Sequence, residues 1–96
     1  MKREEIVEVL RRFKEGNEHR YRIRKIGIFG SAAREVMGTE SDIDVVVVLE
    51  KQDLFNLIGI KQDLEEEFKT PVDIVSYRER MNDHLKRKIA AEAVYA

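Results

Sequence analysis

With 96 residues, 18 basic and 19 acidic side chains and a formal net charge of −1, the chain lacks the basic excess that draws proteins onto nucleic acid. It has no cysteine, which excludes disulfides and thiolate metal sites. No apolar run nears the roughly 20 residues of a membrane helix, and the charged start MKREEIVEVL lacks a signal peptide's apolar stretch. A cytoplasmic protein folding as one domain over residues 1–96 is therefore expected.

In chain order, Ile6, Val9, Leu10 and Phe13 form the stripe of an amphipathic helix, which should stop near Gly16-Asn17. His19 to Lys25 is locally basic and reads as a solvated face. Lys25 to Phe29 is a strand running into Gly30-Ser31, and Ala32, Ala33 and Arg34 suit a short helix after it. Gly38 to Ser41 is a loop. Ile43 to Leu49 holds four consecutive valines, so neither face is polar, and such a strand is central and covered on both sides. Asp53 can cap a helix with apolar positions Leu54, Leu57, Ile58, Leu64 and Phe68. Gly59 inside that helix suggests a close packing contact. Thr70-Pro71 ends it, Val72 to Ser76 is a third strand, and helical periodicity resumes from Arg78 with Leu85, Ile89 and Ala93 on one side. Alternation of this kind predicts an α/β fold, a small mixed sheet with helices packed on it.

The chemistry concentrates at Ser41-Asp42-Ile43-Asp44, at the start of the valine strand. Residues two apart in a strand project from one face, so the Asp42 and Asp44 carboxylates point the same way. Adjacent carboxylates repel, and a divalent cation removes that penalty; magnesium takes hard oxygen ligands and completes its shell with water and phosphates. A D-x-D triplet alone is equally consistent with a capping Asp42 and an exposed Asp44. Asp73 adds weight, because Val72 and Ile74 should face the core and leave the acid on the opposite face. If its strand neighbours the valine strand, three carboxylates meet in the arrangement that two-metal nucleotidyl transfer requires. The plainer alternative is a surface acid on an edge strand. At Gly30-Ser31 a backbone without a Cβ, a hydroxyl and free amides can receive phosphate, with Arg34 one turn later; a simple helix cap is the alternative.

Taken together, Gly30-Ser31-Ala32-Ala33-Arg34, then Ser41-Asp42-Ile43-Asp44, then a later V-D-I strand resemble the polymerase-β-like nucleotidyltransferase superfamily. The likeness is strongest to its minimal (MNT) branch, which includes antitoxins of HEPN/MNT toxin–antitoxin pairs. It spans Ile26 to Tyr77, and the ending Ile89 to Tyr95 is also similar to family termini. The resemblance implies that Asp42, Asp44 and Asp73 bind two Mg2+ ions, and that Asp73 helps deprotonate the acceptor hydroxyl. It implies that Gly30 and Ser31 hold the triphosphate of ATP, with Arg34 nearby. One departure is visible: Glu35 stands where the family usually has glycine, which bears on nucleotide affinity but not on the aspartates.

One small α/β unit leaves little chain for holding an acceptor, so a partner protein should supply it. The resemblance names a HEPN-type toxin and the transfer of AMP to one of its tyrosines. Two other readings stand beside this one. The first is a non-catalytic MNT-fold module that masks its partner by contact. The second is a nucleotidyltransferase for a small-molecule or RNA acceptor, for which only the His19 to Lys25 segment offers basic charge. His19 and His84 lack metal-ligand spacing, and with Tyr77 and Tyr95 they read as surface or packing residues.

Overall fold

The computed structural model describes residues 2–34 and 42–96. Glu35 and the loop expected at Gly38 to Ser41 lie outside them. Eight elements follow in order: α1 (Arg3–Tyr21), β1 (Ile23–Phe29), α2 (Gly30–Arg34), β2 (Ile43–Leu49), α3 (Leu54–Phe68), β3 (Val72–Ser76), α4 (Asp83–Glu92) and β4 (Val94–Tyr95). The strands form one mixed sheet in the order β3-β2-β1-β4. β1 runs antiparallel to both β2 and β4, whereas β2 and β3 are parallel and joined by the α3 crossover. No helix of the described residues is long and apolar enough to cross a membrane.

β2 is the centre, as its valines require. Val45, Val46 and Val47 are all fully buried, which only a strand covered on both faces allows. Val45 and Val47 join Ile26, Ile28, Ile43 and Val72 on the face covered by α1 and α3, which contribute Ile6, Leu10, Ile60 and Leu64. Val46 faces the other way and packs with Phe29 and Ile89 of α4 in a much smaller cluster. The two faces thus divide the work, a thick core on one side and a thin layer on the other.

Four sequence expectations need correction. α1 does not stop at Gly16-Asn17 but continues to Tyr21, and Arg22 takes the left-handed stop with φ 56°. Gly16 in a helix interior costs about 1 kcal/mol. The extra turn offsets this by stacking Tyr21 on Phe13, with centroids 6.2 Å apart, and by letting its hydroxyl donate to Asp63 at 2.7 Å. β1 accordingly begins at Ile23. In α3 the buried positions are Ile60, Leu64 and Phe68, whereas Leu54 and Ile58 are 68% and 43% exposed. α4 begins at Asp83, after the Asn82 side chain caps the Leu85 amide at 3.0 Å. Arg78 to Met81 lies outside the helix because Tyr77 still donates to the Val47 carbonyl at 2.8 Å, which carries the extended backbone past β3.

Other expectations hold. Asp53 caps α3, accepting from the Phe55 and Asn56 amides at 2.9 and 3.2 Å. Gly59 is the close contact anticipated, since a Cβ there would lie 3.0 Å from the Tyr21 hydroxyl oxygen.

Candidate active site

Asp44, the second residue of β2, lies directly opposite Asp73 of β3 in the parallel register. Directly opposed residues share a face, so both carboxylates stand on the α4 side of the sheet, in line with Val46 and Val75. Asp42 precedes the strand by one residue and is exposed, Asp44 is half-buried, and Asp73 is exposed. The acids therefore sit at the open rim of the thin layer, where solvent has access.

Burial raises the Asp44 carboxyl above the ordinary carboxylate range. The Asp73 charge adds to that rise, Lys88 opposes it, and Asp42 and Glu92 add smaller contributions. Among the described residues, no three acids or histidines are already spaced to hold a metal ion. Asp44 and Asp73 thus stand side by side, with Asp42 near enough to act on Asp44, and the three form no closed cage. A half-buried carboxylate raised by neighbouring acids is the environment that a hard divalent cation relieves, using one or two carboxylates and leaving positions for phosphate oxygens. Carboxylate oxygens of Asp44 and Asp73 are the donor type that magnesium takes.

Gly30 closes β1 with φ +66°, in the left-handed region. A Cβ at this position would collide with the Asp44 carboxylate. Glycine here serves the turn and the close approach at once. Ser31 follows, half-buried, and Ala32 and Ala33 are buried beneath the turn. The main chain of Ala33 accepts from Arg3 at 3.2 Å, which ties α2 to the start of α1. Arg34 is not an isolated cation: its Nη1 donates to Glu92 Oε1 at 2.6 Å. The second oxygen of Glu92 accepts from the Gly30 amide at 3.0 Å.

Lys88 and Glu92 are the residues that sequence reasoning missed. They lie four apart on α4, one turn of helix, and flank the buried Ile89. Charged residues beside the apolar stripe of a short helix were the available signal, but their target became visible only once α4 was placed over the aspartates.

The family model for polymerase β nucleotidyltransferases matches residues 4–95. The chain belongs to this family. It is a nucleotidyltransferase, and its mixed sheet with helices is the fold of one. The nucleotidyltransferase is 30% identical over 93 residues to the protein adenylyltransferase MntA of Thermococcus cleftensis, covering 96% of this chain and 93% of that one. It superimposes on a solved structure described as a minimal nucleotidyltransferase with a TM-score of 0.72 and 30% identity, over 92% of this chain and 93% of the other. A toxin–antitoxin crystal structure with AMP-PNP shares the fold at a TM-score of 0.67 and 23% identity; the match covers 76% of this nucleotidyltransferase and 59% of that chain.

Proposed function

We propose that this nucleotidyltransferase transfers AMP from ATP to a tyrosine of a HEPN-type toxin and so acts as its antitoxin. The observation that carries the reading is Asp44, half-buried, opposite Asp73 and in contact range of Gly30. A carboxylate pair beside a tight glycine turn supports the reading. The relative named protein adenylyltransferase supports a protein acceptor. The solved toxin–antitoxin complex with an ATP analogue supports both the nucleotide and the class of partner.

In this reading Gly30 and Ser31 receive the triphosphate, and Arg34 stands beside it with its remaining donors. Asp42, Asp44 and Asp73 would hold two magnesium ions, which supply charge neutralisation on the triphosphate and activation of the attacking oxygen. Asp73 accepts the proton of the tyrosine hydroxyl. The tyrosine oxygen forms a bond to the α-phosphorus, the α–β phosphoanhydride bond breaks, and pyrophosphate leaves. The half-buried position of Asp44 strengthens each electrostatic interaction relative to water.

A second reading, masking by contact alone, draws on one observation. Leu54, Phe55 and Ile58 are 68%, 85% and 43% exposed and form an apolar strip on α3 that a partner could cover. One experiment separates the two. The protein is incubated with Mg2+, ATP and a HEPN-type toxin, the product of a neighbouring gene where one is found, and the toxin is then weighed by intact mass spectrometry. Asp42→Asn/Asp44→Asn runs in parallel. A gain of AMP masses with wild type and none with the double variant is expected. No gain, with a stable complex still forming, would replace transfer by masking.

A further inference from the structure

Glu92 is the last residue of α4, and its carboxylate reaches both ends of α2. One oxygen accepts from the Gly30 amide at 3.0 Å and the other from the Arg34 guanidinium at 2.6 Å. The Glu92 side chain is only 22% exposed, against 49% for Arg34, so the glutamate is the fixed partner and the arginine closes onto it. Its backbone has little freedom. Ile89, three residues earlier, is 1% exposed, and β4 begins two residues later, pairing Val94 with Ile28 and Tyr95 with Gly27. Gly30 in turn abuts the Asp44 carboxylate so closely that no Cβ fits between them. A continuous chain of contacts therefore runs from β4 and α4 through Glu92 to Gly30 and on to Asp44.

We propose that Glu92 is a positioning residue for nucleotidyl transfer: by stapling both ends of α2 to α4, it fixes the Gly30 turn against Asp44. The inference rests on the function proposed above. A different role can be drawn from the same contacts, in which the carboxylate occupies the place of a phosphate and must be displaced by ATP. The two make opposite predictions. A staple supports the rate, so its removal lowers kcat and leaves KM for ATP nearly unchanged. A competitor opposes binding, so its removal lowers KM and leaves kcat intact. Removing Glu92 frees both ends of α2 and removing Arg34 frees one, so Arg34→Ala should cost less than Glu92→Ala and add nothing to it.

The experiment compares wild type with Glu92→Ala, Glu92→Gln, Arg34→Ala and the Glu92→Ala/Arg34→Ala double variant. AMP transfer is measured against ATP concentration, and thermal melting confirms that each variant is folded. Misplacement of a reacting group by about 1 Å costs up to roughly 100-fold in rate, so kcat of Glu92→Ala is expected to fall by about 10- to 100-fold with little change in KM. Glu92→Gln keeps an acceptor for the Gly30 amide and should recover most of the rate; it also serves if the alanine variant does not fold. The double variant should be no worse than Glu92→Ala. A lower KM with unchanged kcat, or additive losses in the double variant, would overturn the proposal. Amide hydrogen exchange at Gly30, read by NMR, tests the staple without activity. Losing a hydrogen bond of about 1 kcal/mol should speed exchange by roughly fivefold in Glu92→Ala, and unchanged exchange would overturn the staple. Wild type that transfers no AMP would defeat the proposed function, and the Gly30 amide would still decide whether the contact exists.

Discussion

Replacing Gly30 by alanine isolates the contact between the turn after β1 and Asp44. The backbone at Gly30 has φ +66°, and a residue with a Cβ pays about 1–2 kcal/mol to stay in that region. The added methyl would also meet Asp44, whose Cγ lies 3.2 Å from the ideal Cβ position and whose Oδ2 lies closer. Asp44 has a short side chain and can turn aside, at the off-rotamer cost of about 0.5–1.5 kcal/mol. The sum is on the order of 2–3 kcal/mol, which lowers the melting temperature of a domain this size by about 10–15 °C. The assay is urea and thermal unfolding of wild type, Gly30→Ala, Asp44→Ala and the double variant. In the Asp44→Ala background only the backbone part remains, so the cost of Gly30→Ala should drop by about 1 kcal/mol. An equal cost in both backgrounds would refute the contact. A Gly30→Ala variant as stable as wild type would refute the left-handed backbone as well.

Three further outcomes follow from particular side chains. Asp44 has a folded pKa above its ordinary value of 3.8. The stability it contributes is therefore fully present below the unfolded pKa and lost as pH rises through the folded one. Asp44→Asn should gain stability relative to wild type as pH rises from about 4, and urea titrations showing a pH-independent difference would contradict this. Tyr21→Phe removes the hydroxyl that donates to Asp63 at 2.7 Å and should cost about 1 kcal/mol, read from the shift in urea midpoint; no shift would mean the bond contributes nothing to the α1–α3 contact. Gly27→Ala would place a Cβ 2.6 Å from the Val94 carbonyl oxygen and 2.9 Å from Tyr95 Cα. Both are backbone atoms with little room to yield, so about 1–3 kcal/mol should be lost. The Ala96 amide, which donates to Ile26 at 2.8 Å, should lose its exchange protection, and retained protection would show that β4 accommodates the methyl.

The parts of this fold that were legible are those fixed by local chemistry. Four consecutive valines can only be a covered strand, and Val72 and Ile74 had to turn inward, which put Asp73 on the outer face with Asp44. Asp53 and Pro71 mark the limits of α3 through capping and the missing amide, and both limits were readable. What was not legible depends on distant partners. The last turn of α1 exists because Phe13 and Asp63 receive Tyr21, and neither partner is visible from Gly16-Asn17. The buried side of α3 is set by where the crossover lands, which favours Ile60 over Leu54 and Ile58. β4 has two residues and no periodicity to detect, so only the free edge of β1 defines it. Among the candidate site residues, the Gly30 turn at the end of β1 and Asp44 at the start of β2 were readable as positions in the fold, whereas the pairing of Arg34 with Glu92 needed the placement of α4.

The thin side of the sheet explains why the last elements matter more than their length suggests. Against the α1–α3 face the sheet is sealed by a large core, and a carboxylate there would be buried without water. On the α4 face, among the described residues, the buried cluster is Phe29, Val46 and Ile89, so the layer can end just short of the rim and leave Asp44 half-buried and Asp73 exposed. Such a layer has little apolar area to hold it down, at about 25 cal/mol per Å2. It relies instead on β4 to anchor one end of α4 and on the Asn82 cap to define the other. The same anchoring carries Lys88 and Glu92 to the aspartates, one offsetting their charge and the other holding the turn that abuts them. A substitution that detaches β4 should therefore reach the site although it lies on the far edge of the sheet. The route is mechanical, through the last turn of α4, and for that reason Gly27→Ala is expected to slow AMP transfer as well as destabilise the fold. Unchanged transfer at a temperature where the variant is folded but the Ala96 amide is unprotected would show that α4 holds its place without the strand.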